Sequence, residues 1–191
     1  MTTTTTGTDL ATIEKTALDA LNKSAKRSGL DDFLASGRRS LLLVDTSSSM
    51  ERSIRAGGRR IDALRRTVTA LREQHPAPVV MFGARVEVIN EIPEPSGMTP
   101  LAAGILFALA QGATHLVVVT DGEPDSEGAA LDAAREFGNP IDVFYIGDGN
   151  DQGARFAQHL ARMTGGTCSL NDLSDTKQLA GKIVALLGDG N

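Results

Sequence analysis

The segment Asp45-Thr46-Ser47-Ser48-Ser49 sets a carboxylate and two hydroxyls at alternate positions, directly after the apolar run Leu41-Leu42-Leu43-Val44. In an extended segment, positions i, i+2 and i+4 project to one side. The spacing therefore predicts that Asp45, Ser47 and Ser49 converge at the end of a strand. Two more oxygen-bearing residues are placed to reach the same point. Thr99 lies in Gly97-Met98-Thr99-Pro100-Leu101, just before a helical pattern, and Asp121 follows Val117-Val118-Val119-Thr120 and precedes Gly122. The five donors are all oxygen, which suits a hard cation such as Mg²⁺. The competing reading is that Ser47 to Ser49 only cap the next helix.

These residues need a scaffold that brings three loops together. Four segments read as strands buried on both faces or nearly so: Leu41–Val44, Val79–Phe82, Leu116–Val119 and Ile141–Ile146. Continuous apolar runs of this kind belong to a parallel sheet covered on both sides. Arg85–Ile89 is a further strand, and only Gly83-Ala84 separates it from the one before. So short a link demands an antiparallel hairpin. Its charged and apolar residues alternate, so one face is expected to be wet. Thr167–Leu170 is a last short strand.

Helices fill the gaps. Ile61, Leu64, Val68 and Leu71 mark one apolar face. After Pro100, Leu101, Ile105, Leu106 and Leu109 are expected to point inward. Residues 126–137, then Phe156, Leu160 and Met163, then Leu179, Ile183, Leu186 and Leu187, mark three more. The order predicts an α/β fold: a doubly wound, mostly parallel central sheet with one antiparallel edge strand and helices on both faces, Rossmann-like in outline. In such folds ligands sit beyond the carboxyl ends of the strands. The three loops after Val44, Val119 and Ile146 lie there. Residues 1–7 read as a disordered tail, 8–37 as a helical extension whose helix reaches about Arg27, and 38–191 as the domain proper.

Composition narrows the function classes. The chain has 191 residues, 41% of them hydrophobic, and a net charge of −5, which suits one domain with a buried core and argues against a general nucleic-acid binder. Aromatic residues are only 4% and tryptophan is absent, so stacking platforms for single strands are not expected. The single Cys168 excludes an intrachain disulfide and reads as a small buried hydrophobe. His75, His115 and His159 lack metal-ligand spacing. Met1 is followed by five threonines, with no basic and apolar leader; a cytoplasmic location is expected, and no apolar run is long enough to span a membrane.

Together, Asp-x-Ser-x-Ser after an apolar strand, a Thr before a helix and an Asp-Gly at a strand end resemble the metal-ion-dependent adhesion site (MIDAS) of von Willebrand factor A (vWA) domains. Asp45, Ser47, Ser49, Thr99 and Asp121 match its five positions. Met50, the Gly97–Leu101 run, Gly147-Asp148-Gly149 and Thr164-Gly165-Gly166 are similar to bacterial members. The resemblance covers roughly residues 38–188. It implies that Ser47 and Ser49 bind the ion directly, that Thr99 does so in a ligand-bound state, and that Asp45 and Asp121 act largely through water. Mg²⁺ is the expected ion, with Mn²⁺ or Ca²⁺ as alternatives. Neutral hydroxyls donate little charge, so the ion keeps its pull on an anion, and the implied partner is a protein offering an Asp or Glu carboxylate. The resemblance to bacterial members also implies a setting beside AAA+ ATPases or in stress-response assemblies.

Arg52, Arg55, Arg59, Arg60, Arg65 and Arg66 crowd the stretch after the serines, six of fourteen arginines. They read either as solvated surface or as a basic rim that guides an acidic partner. Glu123, Asp125 and Glu127 suit a helix N-terminus or a second metal. Asp148 reads as a turn residue. No Gly-x-Ser-x-Gly elbow or Walker A run is present, and Ser47 stands where a haloacid-dehalogenase pattern needs a second Asp. An interaction module, not an enzyme, is expected; the alternatives are a metal-dependent hydrolase and a scaffold with a structural metal.

Overall fold

The computed structural model describes residues 30, 39–54, 57–74, 78–147, 149, 151–171 and 175–188. The expected tail and first helix, with Arg55, His75 and Asp148, lie outside the described residues.

Strand β1 (Ser40–Asp45) is buried at every position. A 3-10 turn, Ser48–Glu51, follows it, and then helix α1 (Arg60–Gln74). Strands β2 (Val79–Phe82) and β3 (Val86–Ile89) come next, then α2 (Leu101–Ala110) and β4 (His115–Thr120). The chain continues as α3 (Glu127–Phe137), β5 (Ile141–Ile146), α4 (Gln152–Thr164), β6 (Cys168–Asn171) and α5 (Thr176–Gly188). The sheet order is β3-β2-β1-β4-β5-β6. Only β3 runs antiparallel, paired with β2 from Phe82↔Val86 to Val79↔Ile89. The doubly wound sheet with one antiparallel edge is thus the observed architecture.

Two parallel strands at the centre matter most. Val44 of β1 pairs with Val119 of β4, so the next residues, Asp45 and Thr120, leave the sheet side by side. Leu41, Leu42, Leu43, Val44 and Leu116 to Val119 are wholly buried. Each such side chain contributes roughly 1.5–3 kcal/mol on burial, which offsets the cost of drawing an acid such as Asp45 out of water. Helix α1 packs against α5 and α2 against α3. Leu30, from the segment before β1, is fully buried in the same core.

One inward face differs from expectation. Leu101, Gly104, Ile105, Phe107 and Ala108 of α2 are buried, whereas Leu106 is 39% exposed. This helix is apolar almost all round, so periodicity alone could not orient it. The hairpin turn is one residue longer than Gly83-Ala84, because Arg85 also lies outside β3. Among the described residues, no helix is long and apolar enough to cross a membrane.

At the opposite end of the sheet a polar chain crosses β1, β4 and β5 and ends on the residue before β6. His115 meets Ser40 Oγ at 3.2 Å through Nδ1 and Asp142 Oδ2 at 2.6 Å through Nε2. Asp142 Oδ1 accepts from the Thr167 amide at 2.7 Å and from its hydroxyl at 2.5 Å. The Ser-His-Asp order has the residue types of a hydrolytic relay, but Ser40 is buried and so withheld from a substrate. The chain serves as a staple between strand starts. Burial alone would raise the Asp142 carboxyl; the bonds from Thr167 and His115 outweigh it and hold the group below the usual range.

A group whose pKa is depressed on folding contributes stability that is complete above its unfolded value, about 3.9, and is lost as pH falls through the lower folded value. Asp142→Ala is expected to lower stability by about 2–3 kcal/mol at pH 7, since it strands the Thr167 amide and His115. Urea unfolding should show the gap to the wild type narrowing below pH 4. A gap that stays constant down to pH 2 would show that the carboxylate charge contributes nothing.

Candidate metal centre

Asp45 ends β1 with no solvent exposure. Its Oδ1 accepts from the Ser47 amide at 2.9 Å, which folds the chain back as it leaves the strand. Its Oδ2 accepts from Thr120 Oγ1 at 2.6 Å, from the neighbouring strand end. Ser47 is extended (φ −66°, ψ 166°), but the 3-10 turn begins at Ser48. The three donors therefore do not converge by strand alternation. The turn does it instead, bringing Ser47 Oγ and Ser49 Oγ to 3.0 Å. Ser47 occupies the cap position of this turn, yet its side chain makes no cap hydrogen bond. Its hydroxyl faces Ser49, which disfavours capping as the purpose of the serine run.

Thr99 is brought in by stitching between loops. Ser48 donates to the Gly97 carbonyl from both its amide, at 3.2 Å, and its hydroxyl, at 3.0 Å. The Ser96 amide donates to the Thr46 carbonyl at 2.9 Å. On the other side, Asp125 Oδ1 accepts from the Thr99 amide at 2.5 Å, while the Asp125 amide donates to the Thr99 carbonyl at 3.1 Å. The loop holding buried Thr99 is thus clamped between the loops after β1 and β4. Thr120, besides holding Asp45, accepts from the Gly122 amide at 3.0 Å and so shapes the Asp121–Gly122 turn.

Asp121 is wholly buried. Arg60 Nη1 donates to its Oδ2 at 2.7 Å, while Asp121 Oδ1 and Arg60 Nε have no partner. Buried polar atoms are nearly always bonded, so the orphaned oxygen marks a place where a donor or cation belongs. Asp45 tells the same story through charge. Burial first, then the negative charge of Asp121, push its carboxyl up to about 7, against the hydrogen bonds from Ser47 and Thr120. Two buried acids that feel each other's charge are short of positive charge.

The donor set, two acids and hydroxyls clustered at a strand edge, fits a small hard cation. Among the described residues, no three His, Cys, Asp or Glu side chains form a metal-holding group; a cation here would have to draw on the hydroxyls. Thr120, Asp125 and Arg60 were not read as parts of this site from the sequence. The β1–β4 register would have flagged Thr120, but nothing in the residue string separates Arg60 from its neighbours.

Three of the other arginines, Arg52, Arg59 and Arg65, are paired with acids, and Arg66 is exposed. Arg52 pairs with Glu123 at 2.5 Å. Arg59 holds Asp62 at 3.0 Å and Glu94 at 2.9 Å, and Arg65 holds the same two acids at 3.0 and 2.9 Å. These links fix α1 to the loop near Glu94 and neutralise that part of the basic rim. Glu123 and Asp125 serve Arg52 and Thr99, and Glu127 accepts from Gln152 at 3.0 Å. Each of the three acids thus has its own protein partner.

Gly97 is needed for this geometry. Its φ is +79°, and a Cβ there would lie 2.5 Å from Ala84 Cα. Gly97→Ala is expected to destabilise the chain by at least about 2 kcal/mol and to loosen the Thr99 amide. Urea unfolding with hydrogen exchange at Thr99 checks both; an unchanged midpoint with full protection would refute the clamp.

No protein-family model matches the chain, and no curated protein matches it. Among solved structures it is similar to the manganese-loaded TRAP protein of Plasmodium vivax, with a TM-score of 0.52 and 18% identity over 78% of this chain and 70% of that one. It is also similar to a von Willebrand factor type A structure from Catenulispora acidiphila, with a TM-score of 0.59 and 16% identity over 79% of this chain. The match spans 42% of that chain's length. At such identities the likeness speaks to fold alone, and the fold is that of a vWA domain.

Proposed function

We propose that the chain is a metal-dependent protein-interaction module of the vWA type. Asp45, Ser47, Ser49, Thr99 and Asp121 surround one divalent cation, Mg²⁺ by preference and Mn²⁺ as its nearest substitute. Ser47 and Ser49 hold the ion directly, Thr99 joins when a ligand is bound, and Asp45 and Asp121 act mainly through water. The observation that carries this reading is the buried, unpartnered Asp121 Oδ1 beside a second buried acid. A solved structure of the same fold is described as manganese-loaded, which supports a divalent ion in this kind of scaffold.

With the ion bound, its shell supplies Lewis acidity with little neutralising charge from the hydroxyls. The chain's residues orient it: Thr120 fixes Asp45, Asp125 fixes the Thr99 loop, and Arg60 fixes Asp121. A partner's Asp or Glu carboxylate completes the shell. On this reading the domain binds and does not catalyse, and it works in the cytoplasm, beside an AAA+ ATPase assembly in a bacterial cell.

Calorimetry with Mn²⁺ or Mg²⁺ checks the metal. Ser47→Ala and Asp121→Ala are each expected to weaken binding tenfold or more. Equal binding by the wild type and both variants would remove the assignment. A pull-down with and without EDTA checks the contact: the partner should be released by EDTA, and a partner retained unchanged would show that the ion is not the link.

A further inference from the structure

Arg60 stands apart from the other arginines of its run. It opens α1, and its residue surface is 9% exposed. A return loop places it: the Ile54 amide donates to the Gly58 carbonyl at 3.0 Å, Ser53 and Arg59 form an isolated bridge, and the Arg60 amide donates to the Arg52 carbonyl at 3.0 Å. The chain thus turns back on itself, so that a guanidinium is pressed against Asp121. Arg52, also near enough to feel the charge of Asp121, stays at the surface with Glu123.

The contact is half of what the two groups could make. A guanidinium and a carboxylate commonly pair through two parallel bonds. Here one bond forms, Nη1 to Oδ2, and Nε and Oδ1 are left buried without partners. The carboxylate is divided: one oxygen belongs to Arg60, and the other is open.

We propose that Arg60 is a resident counter-ion of the site, opposing the entry of the divalent cation and leaving the loaded site net positive, so that an anionic ligand is favoured. This rests on the metal reading above. The charge count follows from the residues. Asp45 and Asp121 as carboxylates balance a divalent ion, and Arg60 adds one positive charge; the part-buried Asp151 in the same neighbourhood is held by the Tyr145 hydroxyl at 2.5 Å and not by Arg60. Without the ion, the same guanidinium keeps two buried acids from facing each other unscreened. Arg60 therefore trades metal affinity for stability of the metal-free fold and for preference toward a carboxylate from outside. The trade is electrostatic, so it depends on the charge at position 60 more than on the shape of the side chain.

The test is Mn²⁺ titration by calorimetry on the full chain, as wild type, Arg60→Gln and Arg60→Lys, with thermal unfolding in EDTA and in Mn²⁺. Arg60→Gln is expected to bind Mn²⁺ about tenfold tighter than the wild type and Arg60→Lys within about threefold of it. In EDTA the Gln variant should melt lower than the wild type, and Mn²⁺ should raise its midpoint by more. Arg60→Met, neutral and of similar length, repeats the comparison if the Gln variant does not fold. Binding by Arg60→Gln alone, with none by the wild type, would overturn the metal reading of the native chain on which the proposal rests. If the wild type binds Mn²⁺ and the neutral variants bind it equally or more weakly, Arg60 is not a competitor, and the metal reading stands without it. If none of the proteins binds Mn²⁺, both readings fall.

Discussion

Two carboxylates buried at the ends of adjacent parallel strands impose the constraint around which the rest is arranged. Asp45 and Asp121 have no exposure to water, and burying like charges together is among the most expensive things a core can do. The chain meets that cost locally. Asp45 takes hydrogen bonds from Ser47 and Thr120, and Asp121 takes a guanidinium. These devices are incomplete, as the raised Asp45 and the open oxygen of Asp121 show. On the proposed reading a divalent cation supplies what is missing.

The apolar sheet makes such an arrangement affordable and also positions it. The buried runs of β1 and β4 bring Asp45 and Thr120 level, because the parallel register leaves no freedom in which residues emerge together. The loops are then tied by backbone bonds: Ser48 to Gly97, Ser96 to Thr46, and Asp125 to Thr99 in both directions. A site made of short hydroxyl side chains needs this stitching. Serine and threonine reach little beyond the backbone, so the geometry of the donors is the geometry of the loops. A long-armed set of glutamates would tolerate slack that this set does not.

Much of this was readable from the residue string. The unbroken apolar runs, the short Gly83-Ala84 link and the alternating helices were enough for the sheet and its single antiparallel edge. The five candidate residues come from the sequence too, as oxygen donors at the ends of two strands and in a loop before a helix. What was hidden depended on tertiary packing. The inward face of α2 lay beyond periodicity because Leu101 to Ala110 offers no polar contrast. The convergence of Ser47 and Ser49 was attributed to strand alternation, where a 3-10 turn produces it. Thr120 looked like the last residue of a strand until the register set it beside Asp45. Arg60 sat in a run of arginines alike in type, and only the return loop after Ser53 separates the buried one from the solvated ones.

The most direct test of the central claim is anomalous diffraction at the manganese edge from crystals grown with Mn²⁺. The account predicts one dominant peak within coordination distance, about 2.1 Å, of both Ser47 Oγ and Ser49 Oγ, with Asp45 and Asp121 ringing it. A peak bound elsewhere on the chain, or no peak at saturating Mn²⁺, would contradict it.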